Sequence, residues 1–194
     1  MDFDDIIKRE SKTDELKKRF NKLQLEFDVL ESNYYSETKI NDLKDKMKQK
    51  LLDEFKEYFK SKGFSVKSSY EENNFVGNLE NRTASIGNYK IIFSISISFR
   101  IFLEVQHKND FKKEEYTLSM DLSSESAFHS CIDNEYHNIT DMIKLLESDI
   151  SSLQKISEEN KPLEVVCKFD DGLNMDMDKE YKSFKDIIED IPNK

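Results

Sequence analysis

Three residues with metal-ligating or nucleophilic side chains lie close together in the sequence, at His129, Cys131 and His137. Imidazole and thiolate groups are the usual ligands of zinc, and Cys167 is a further candidate elsewhere in the chain. A zinc site needs three or four convergent ligands, however, and the chain has no Cys-x2-Cys pair to anchor them. Cys131 acting as a nucleophile with either histidine as its base would lack a third residue to orient that base. The cluster therefore predicts no metal site, no cofactor and no catalytic residue.

Glu104, Gln106 and Lys108 alternate along one predicted strand, in the segment FLEVQHK that begins at Phe102. This segment resembles the catalytic strand of PD-(D/E)xK nucleases, which place a glutamate and a lysine two residues apart to hold a metal ion and a water. The chain departs from that pattern at Gln106, and the preceding strand, 75–88, contains no aspartate. The resemblance implies an alternative function as a metal-dependent nuclease, or a degenerate relative, centred on Glu104.

Other common catalytic and nucleotide-binding motifs are absent from the sequence. It contains no GxxxxGK[ST], GxGxxG, GxSxG or HExxH, and the acidic loop 170–178 lacks the glycine and glutamate of a calcium-binding EF-hand loop. The motifs therefore favour a protein that is not an enzyme.

Apolar residues recur at alternating steps of four and three in two stretches, which is the spacing of a heptad seam on an amphipathic helix. The first stretch, within 12–35, comprises Leu16, Phe20, Leu23, Phe27, Leu30 and Tyr34. The second, within 132–156, comprises Ile132, Tyr136, Ile139, Ile143, Leu146, Ile150 and Leu153. Further helices are predicted over 37–62, before Gly63, and over 181–191, before Pro192. We expect the helix over 132–156 to pack against one or both N-terminal helices.

Alternation of apolar and polar residues predicts strands over 64–70, 75–86, 89–105, 116–122 and 163–169. The clearest pattern runs from Tyr89 to Val105, where every odd position is apolar. We predict one long central strand with buried odd positions, joined to the preceding strand by a two-residue turn at Gly87-Asn88.

The order of elements, α-α-β-β-β-β-α-β-α, predicts an α+β fold with a mostly antiparallel sheet of about five strands, packed by long amphipathic helices. The two N-terminal helices would form a hairpin or a short coiled coil. We divide the chain into an N-terminal helical segment, 1–62, and a sheet domain, 63–194, and expect the two to unfold as one cooperative unit.

Negative charge is concentrated in the C-terminal third of the chain. The formal net charge is −10, and residues 123–194 hold 8 basic and 17 acidic side chains, a net charge of −9. Such a potential repels nucleic-acid phosphates and attracts a basic protein surface, so direct nucleic-acid binding is disfavoured. The predicted contact residues for a basic partner are Asp170, Asp171, Asp176, Asp178, Glu180, Asp186, Glu189 and Asp190. The alternative interpretation is a solvated acidic face that serves solubility.

A second candidate contact surface is the polar side of the predicted central strand. Its even positions include Ser94, Ser96, Ser98 and Arg100, which would share one sheet face with Glu104 and Gln106. This face is either an ordinary solvated side of an antiparallel sheet or a docking surface for a protein partner.

The sequence shows neither a signal peptide nor a run of transmembrane length, so no membrane association is expected. Its two cysteines, Cys131 and Cys167, are too few for a disulfide framework, which favours a reducing, cytoplasmic location. Lysine outnumbers arginine by 26 to 4, a bias typical of AT-rich genes. We therefore expect a low-GC bacterium or a mobile element, such as a phage or a genomic island, as the source.

These observations favour a non-enzymatic protein–protein interaction module: an acidic cytoplasmic adaptor, inhibitor or immunity-type protein. One version acts by blocking nucleic acid, or mimicking it, on a basic partner. The alternatives are the nuclease or degenerate PD-(D/E)xK-like protein centred on Glu104, and a structural coiled-coil subunit of a larger complex. A homodimer formed through the heptad helices also stays open.

Overall fold

A computed structural model describes residues 3–73, 77–107, 113–124, 128, 138–159, 162–170 and 179–191. Its helices are α1 (Phe3–Tyr34), α2 (Glu37–Ser61), α3 (Ile139–Glu158) and α4 (Phe184–Asp190). Its strands are β1 (Ser65–Asn73), β2 (Gly77–Ile86), β3 (Tyr89–Ser96), β4 (Arg100–His107), β5 (Lys113–Leu122) and β6 (Val165–Phe169). The elements follow the predicted order, except that two strands replace one.

The six strands form a single sheet in the order β1-β2-β3-β4-β5-β6, and all neighbouring strands are antiparallel. The first five strands form a meander, and β6 adds to the edge at β5 after the chain has passed through α3. Helices that stand outside an antiparallel sheet define the α+β class, so the predicted fold class is confirmed.

The predicted single strand from Tyr89 to Val105 is wrong, because the chain turns back at 97–99 and forms a β3–β4 hairpin. Ile95 pairs with Ile101 across this turn. A three-residue loop keeps odd residues opposite odd residues, so the alternation passes through the turn without a change of phase. The hairpin therefore has the same sequence pattern as one long strand. The predicted burial of odd positions is confirmed at Phe93, Ile95, Ile101 and Leu103 but is wrong at Tyr89 and Ile97, which are exposed.

The turn between β3 and β4 contains no glycine, asparagine, aspartate or proline. Phe99 has a left-handed φ of 61°, and its N–H donates to the Ser96 carbonyl over 3.1 Å, as in three-residue hairpin loops. The Ser96 hydroxyl accepts from the Arg100 N–H at 3.0 Å and lies 2.9 Å from the Ser98 hydroxyl. A serine side chain thus supports a backbone conformation for which glycine is the usual residue. The predicted Gly87-Asn88 turn is confirmed, with Gly87 at a φ of 54°.

The chain divides into two compact units that do not follow the predicted segments. Unit 1 comprises Met1–Lys39 and Ser126–Pro162, and unit 2 comprises Ile40–Glu125 and Leu163–Lys194. The helix α3 therefore belongs with α1, and most of α2 belongs with the sheet. The predicted cooperative unfolding of the whole chain stays a prediction.

In unit 1, α1 packs against α3, which confirms the predicted partner of the second heptad helix. The core contains Phe27 from α1 together with Leu146, Ile150 and Leu153 from α3. Asn138 begins α3, and its side-chain oxygen accepts from the backbone N–H groups of the first turn. The two heptad seams thus pack on each other, while Ile132 and Tyr136 lie outside the described residues.

In unit 2, one face of the sheet packs against α2 and α4. The ring of Phe55 on α2 stacks on that of Phe93 on β3, with centroids 5.4 Å apart, and contacts Phe184 of α4 edge-on at 5.1 Å. All three rings are fully buried. Burying aromatic side chains stabilises a fold strongly, so this face forms the core of unit 2.

Candidate binding site on the polar face of the sheet

The sheet of unit 2 has a second face, opposite α2 and α4, which we call the polar face. The strand register places Asn81 of β2, Ser94 of β3 and Phe102 of β4 in one row across it. Glu104 lies two residues further along β4, where it pairs with Glu115 of β5. The even positions of β3 and β4 therefore share one face, as the alternation predicted, whereas Ser98 lies in the turn between the two strands.

A cavity of about 540 Å³ opens on the polar face. Leu79, Ile92 and Phe102 form its apolar part, and polar side chains from all five strands of the meander complete its lining. Small-ligand sites typically have volumes of about 300–1,000 Å³ and combine an apolar lining with a few polar groups that orient the ligand. The volume of this cavity falls in that range, but nine of its twelve lining residues are polar or charged, so it is more polar than a typical small-ligand site.

One ammonium group holds two carboxylates at one side of the cavity. The Nζ atom of Lys113 lies 2.6 Å from Oε2 of Glu104 and also contacts Glu115. Hydrogen bonds to Glu104 and Glu115 raise the pKa of Lys113, so its ammonium group stays charged at neutral pH. The second oxygen of Glu104, Oε1, is buried and accepts no hydrogen bond from the part of the chain that the structure describes.

The side-chain amide of Asn81, on β2, has an oxygen that accepts no hydrogen bond from any described residue. Asn81 is only 6% exposed, and its Nδ2 donates to Oε2 of Glu71 on β1 over 3.2 Å. Its Oδ1 atom is buried and accepts no hydrogen bond from any described residue. The amide is therefore fixed from one side and has an unused acceptor.

Glu104 Oε1 and Asn81 Oδ1 are, among the described residues, the buried side-chain polar atoms without a hydrogen-bond partner. Both residues line the same cavity. A buried acceptor left unpaired costs about 1–3 kcal/mol, and folded proteins satisfy most such atoms. Two residues of the cavity lining therefore each have one buried, unsatisfied acceptor.

The predicted set of Ser94, Ser96, Ser98 and Arg100 contains both buried and exposed residues. Ser94 lines the cavity and is 7% exposed, whereas Ser96 is fully buried and supports the β3–β4 turn. Ser98 and Arg100 are exposed at the same turn. Gln106 is half-buried on β4, and Lys108 lies outside the described residues. Of this predicted set, Ser94 is the residue that the structure places in the cavity with Glu104.

Glu180, a member of the predicted acidic contact set, is engaged within unit 2. Its carboxylate accepts from the Ser124 backbone N–H at 2.6 Å and the Ser123 hydroxyl at 2.8 Å, and lies 3.2 Å from Lys168 Nζ. Burial acts to raise the pKa of Glu180, but these hydrogen bonds outweigh it and lower the pKa to about 2. This carboxylate anchors the segment after β5 to the segment before α4.

The remaining acids of the predicted set differ in what they contact. Asp190 accepts from Lys179 and from the hydroxyl of Tyr181, which lower its pKa. Asp186 is held by the hydroxyl of Ser183 at the start of α4, and Glu189 pairs with Lys185 one turn away. Asp170 is half-buried. Asp171, Asp176 and Asp178 lie outside the described residues.

The candidate metal and nucleophile cluster of His129, Cys131 and His137 also lies outside the described residues. Cys167 is a fully buried thiol on β6, and burial raises its pKa to about 12. In the described ranges, the acidic, histidine and cysteine side chains form no group of three that could hold a metal ion.

Sequence patterns pointed to Glu104 and Ser94 but gave no signal for Asn81, Glu71 or Lys113. These residues come from three other strands, and only strand pairing brings them to the cavity. One usable signal was the Gly87-Asn88 turn, because a two-residue loop fixes the register of β2 against β3 and so places Asn81 opposite Ser94.

Comparisons with known proteins found no matching family model, no similar curated protein and no similar solved structure. Among the described helices, none has a stretch long and apolar enough to cross a membrane.

Proposed function

We propose that this protein is a non-enzymatic interaction module that binds a basic protein partner through the polar face of its sheet. The observation that carries this proposal is the pair of buried, unpaired acceptors, Glu104 Oε1 and Asn81 Oδ1, in one cavity. The small number of cysteines, two in the chain, favours a reducing, cytoplasmic setting. An adaptor, an inhibitor and an immunity-type protein would all use such a site.

The charges around the cavity support a basic partner. Its lining contains three carboxylates, Glu71, Glu104 and Glu115, and two ammonium groups, Lys90 and Lys113. Lys113 is already held between two of the carboxylates. The cavity therefore has a net negative charge that complements a cation.

The polar face suits a binding role better than the acidic C-terminal set that the sequence suggested. Glu180 and Asp190 are bound to neighbouring groups of their own chain, so a partner would have to compete for them. Asp186 and Glu189 are exposed, and exposed acids contribute chiefly to long-range attraction. We propose that the acidic end steers a basic partner and that the cavity makes the specific contact.

Site-specific photo-crosslinking tests this proposal. A benzoylphenylalanine at Thr83, which lines the cavity, is compared with the same group at Lys185, which is exposed on α4. We expect a basic protein to be captured from the polar face, with a yield that falls between 50 and 500 mM salt and on Glu104→Gln. The salt range spans Debye lengths from about 14 to 4 Å, over which long-range attraction is lost.

Two outcomes would overturn the proposal. Capture from Lys185 alone would place the interface at the acidic end of the chain. Capture from Thr83 that ignores both salt and Glu104→Gln would remove the electrostatic basis of the contact.

The nuclease alternative is a second candidate because of one contact. The Lys113 ammonium lies beside Glu104, a position that the resemblance had assigned to the neighbouring Gln106 or to Lys108. Incubating plasmid DNA with Mg²⁺ or Mn²⁺ separates the two functions. Metal-dependent cleavage that is lost in Glu104→Ala would favour the nuclease and contradict a purely binding role.

The coiled-coil alternative depends on a free heptad seam. The seams of α1 and α3 pack on each other within unit 1, which buries Phe27, Leu146, Ile150 and Leu153 and partly buries Phe20, Leu23, Leu30 and Tyr34. Sedimentation at tens of micromolar tests the remaining homodimer option, and we expect a monomer.

A further inference from the structure

The chemistry of the cavity on the polar face indicates what kind of group occupies it. Both unpaired atoms, Glu104 Oε1 and Asn81 Oδ1, are acceptors. A ligand that satisfies them must carry at least two N–H or O–H donors. An ionised carboxylate supplies none, a phosphate supplies at most one or two O–H donors near neutral pH, and either anion would face the three glutamates of the lining. The net negative charge of the lining therefore disfavours anionic ligands, and carboxylates also lack the donors that the two atoms require.

The two acceptors belong to strands that are separated by a third. Asn81 is on β2, opposite Ser94 of β3, whereas Glu104 is on β4, opposite Ile92 of β3. Neighbouring strands are about 4.8 Å apart, so the two backbones are separated by about 10 Å. A group with several donors directed to different sides can reach both acceptors, whereas a single donor cannot.

The apolar part of the cavity selects among cations. Phe102 is half-buried and lines the cavity together with Ile92 and Leu79. A guanidinium group is planar, stacks on aromatic rings, carries five donors and is weakly hydrated. A lysine ammonium is a compact, strongly hydrated charge, so its transfer to such a surface is less favourable.

A small rearrangement is enough to present the acceptors to a ligand. The last torsion of an asparagine or glutamate side chain is broad, so either oxygen can turn toward the cavity without leaving a rotamer well. Lys113 restrains the other oxygen of Glu104, and Glu71 restrains the amide nitrogen of Asn81. Both side chains are therefore held near their places while one oxygen of each stays unused.

We infer that the cavity on the polar face is a receptor for the guanidinium group of an arginine side chain, presented by the basic partner. The inference rests on the proposed function for the source of the arginine. Glu104 supplies the charge-assisted hydrogen bond, Asn81 the neutral one, and Phe102 the stacking surface.

The first test uses three short peptides and the full-length protein. Acetyl-Gly-Arg-Gly-amide is titrated into ¹⁵N-labelled protein and followed by amide shifts, beside the same peptide with citrulline or with lysine. Citrulline has nearly the shape of arginine but no charge. We expect the arginine peptide to shift resonances of β2 and β4 and to bind at least about tenfold more tightly than citrulline, the value for one charge-assisted hydrogen bond.

Variants assign the contacts. Glu104→Gln removes one charge from the cavity, and Glu189→Gln makes the same chemical change on α4, outside it. Arginine affinity should fall about tenfold in the first and stay within about twofold in the second. Phe102→Leu keeps the cavity apolar and should reduce the preference for arginine over lysine, which tests the inference even if Glu104→Gln fails to fold.

The outcomes separate this inference from the proposed function. Equal affinity for arginine and citrulline, or unchanged affinity in Glu104→Gln, overturns the guanidinium receptor. If the guanidinium receptor is overturned but crosslinking of the partner still requires Glu104, the proposed function stands without an arginine receptor. If the arginine peptide binds as expected but crosslinks arise only from α4, the receptor stands and the proposed function falls.

Discussion

Replacing Glu180 by glutamine should weaken unit 2 far more than the loss of an ordinary surface charge. The Glu180 carboxylate accepts hydrogen bonds from Ser123 and Ser124 and pairs with Lys168 of β6. Glutamine has nearly the same shape, but its amide nitrogen cannot accept from either donor and its charge is zero. The variant therefore removes the electrostatic part of the anchor and leaves the packing almost unchanged.

The size of the effect follows from the pKa of Glu180, which falls from 4.5 to about 2 in the folded protein. Each pKa unit corresponds to about 1.4 kcal/mol, which gives an upper value of about 3.5 kcal/mol. Glu180 and Lys168 are 17% and 27% exposed, so solvent screening is modest, and we expect a loss of about 2–3 kcal/mol at pH 7. Because the folded pKa lies below the unfolded one, this stabilisation is complete above about pH 5 and is lost as the pH falls toward 2.

Urea denaturation of the wild type and of Glu180→Gln at pH 7, 5, 4 and 3 measures the difference in the free energy of unfolding. The difference should be constant from pH 7 to 5 and should fall by about half at pH 3. Glu189→Gln is the matched control, because its exposed pair with Lys185 should contribute less than about 0.5 kcal/mol at any pH. A difference that is below 0.5 kcal/mol, or that does not change between pH 5 and 3, would refute the assignment of Glu180 as an anchor.

Three further changes test the fold by thermal or urea unfolding and by thiol labelling. Ile95 is fully buried between the strands and α2, so Ile95→Asp should cost several kcal/mol, and an unchanged melting temperature would contradict its facing. Ser96→Ala leaves the Arg100 N–H without its acceptor and should lower the free energy of unfolding by about 1–2 kcal/mol. An unchanged stability would show that the Ser96 hydroxyl does not stabilise the turn. In a Cys131→Ser background, Cys167 should resist thiol reagents at pH 8 in the folded protein, because burial raises its pKa to about 12. Stability should decrease above about pH 9, where the unfolded thiol ionises and the folded one does not, and rapid labelling without unfolding would contradict its burial.

Local patterns were sufficient to predict the helices and the buried side of the sheet. The heptad spacing around Phe27 and Leu146 identified the residues that meet between α1 and α3. The alternation around Phe93 and Ile101 identified the side of the sheet that packs on α2. The backbone geometry of helices and strands fixes the period of both patterns, so they can be recognised in the sequence without knowledge of the tertiary contacts.

The hairpin and the cavity could not be predicted in the same way. The turn at Phe99 has no residue that favours a left-handed backbone. Because its loop has three residues, the alternation of apolar and polar residues continues through it unchanged and gives no sign of a turn. Asn81 and Glu104 are 23 positions apart in the sequence, and their proximity depends on the registers of two strand pairs. The acidic residues were visible as a charge excess, but the hydrogen bonds that hold Glu180 depend on where Ser123 comes to lie.

The three-residue loop between β3 and β4 has a consequence for association between copies of the chain. If residues 97–99 become extended, the segment 89–107 forms one straight strand in which each side chain keeps the face it has in the hairpin. Two opened molecules can then exchange the chain beyond the loop, each completing the other's sheet with the apolar residues still inside, and Phe99 is released from its positive φ. A hinge of this kind makes domain swapping the natural misassembly of this sheet. Substituting a β-branched residue such as valine for Phe99 should shift the population toward the exchanged dimer, because valine tolerates a left-handed backbone less well.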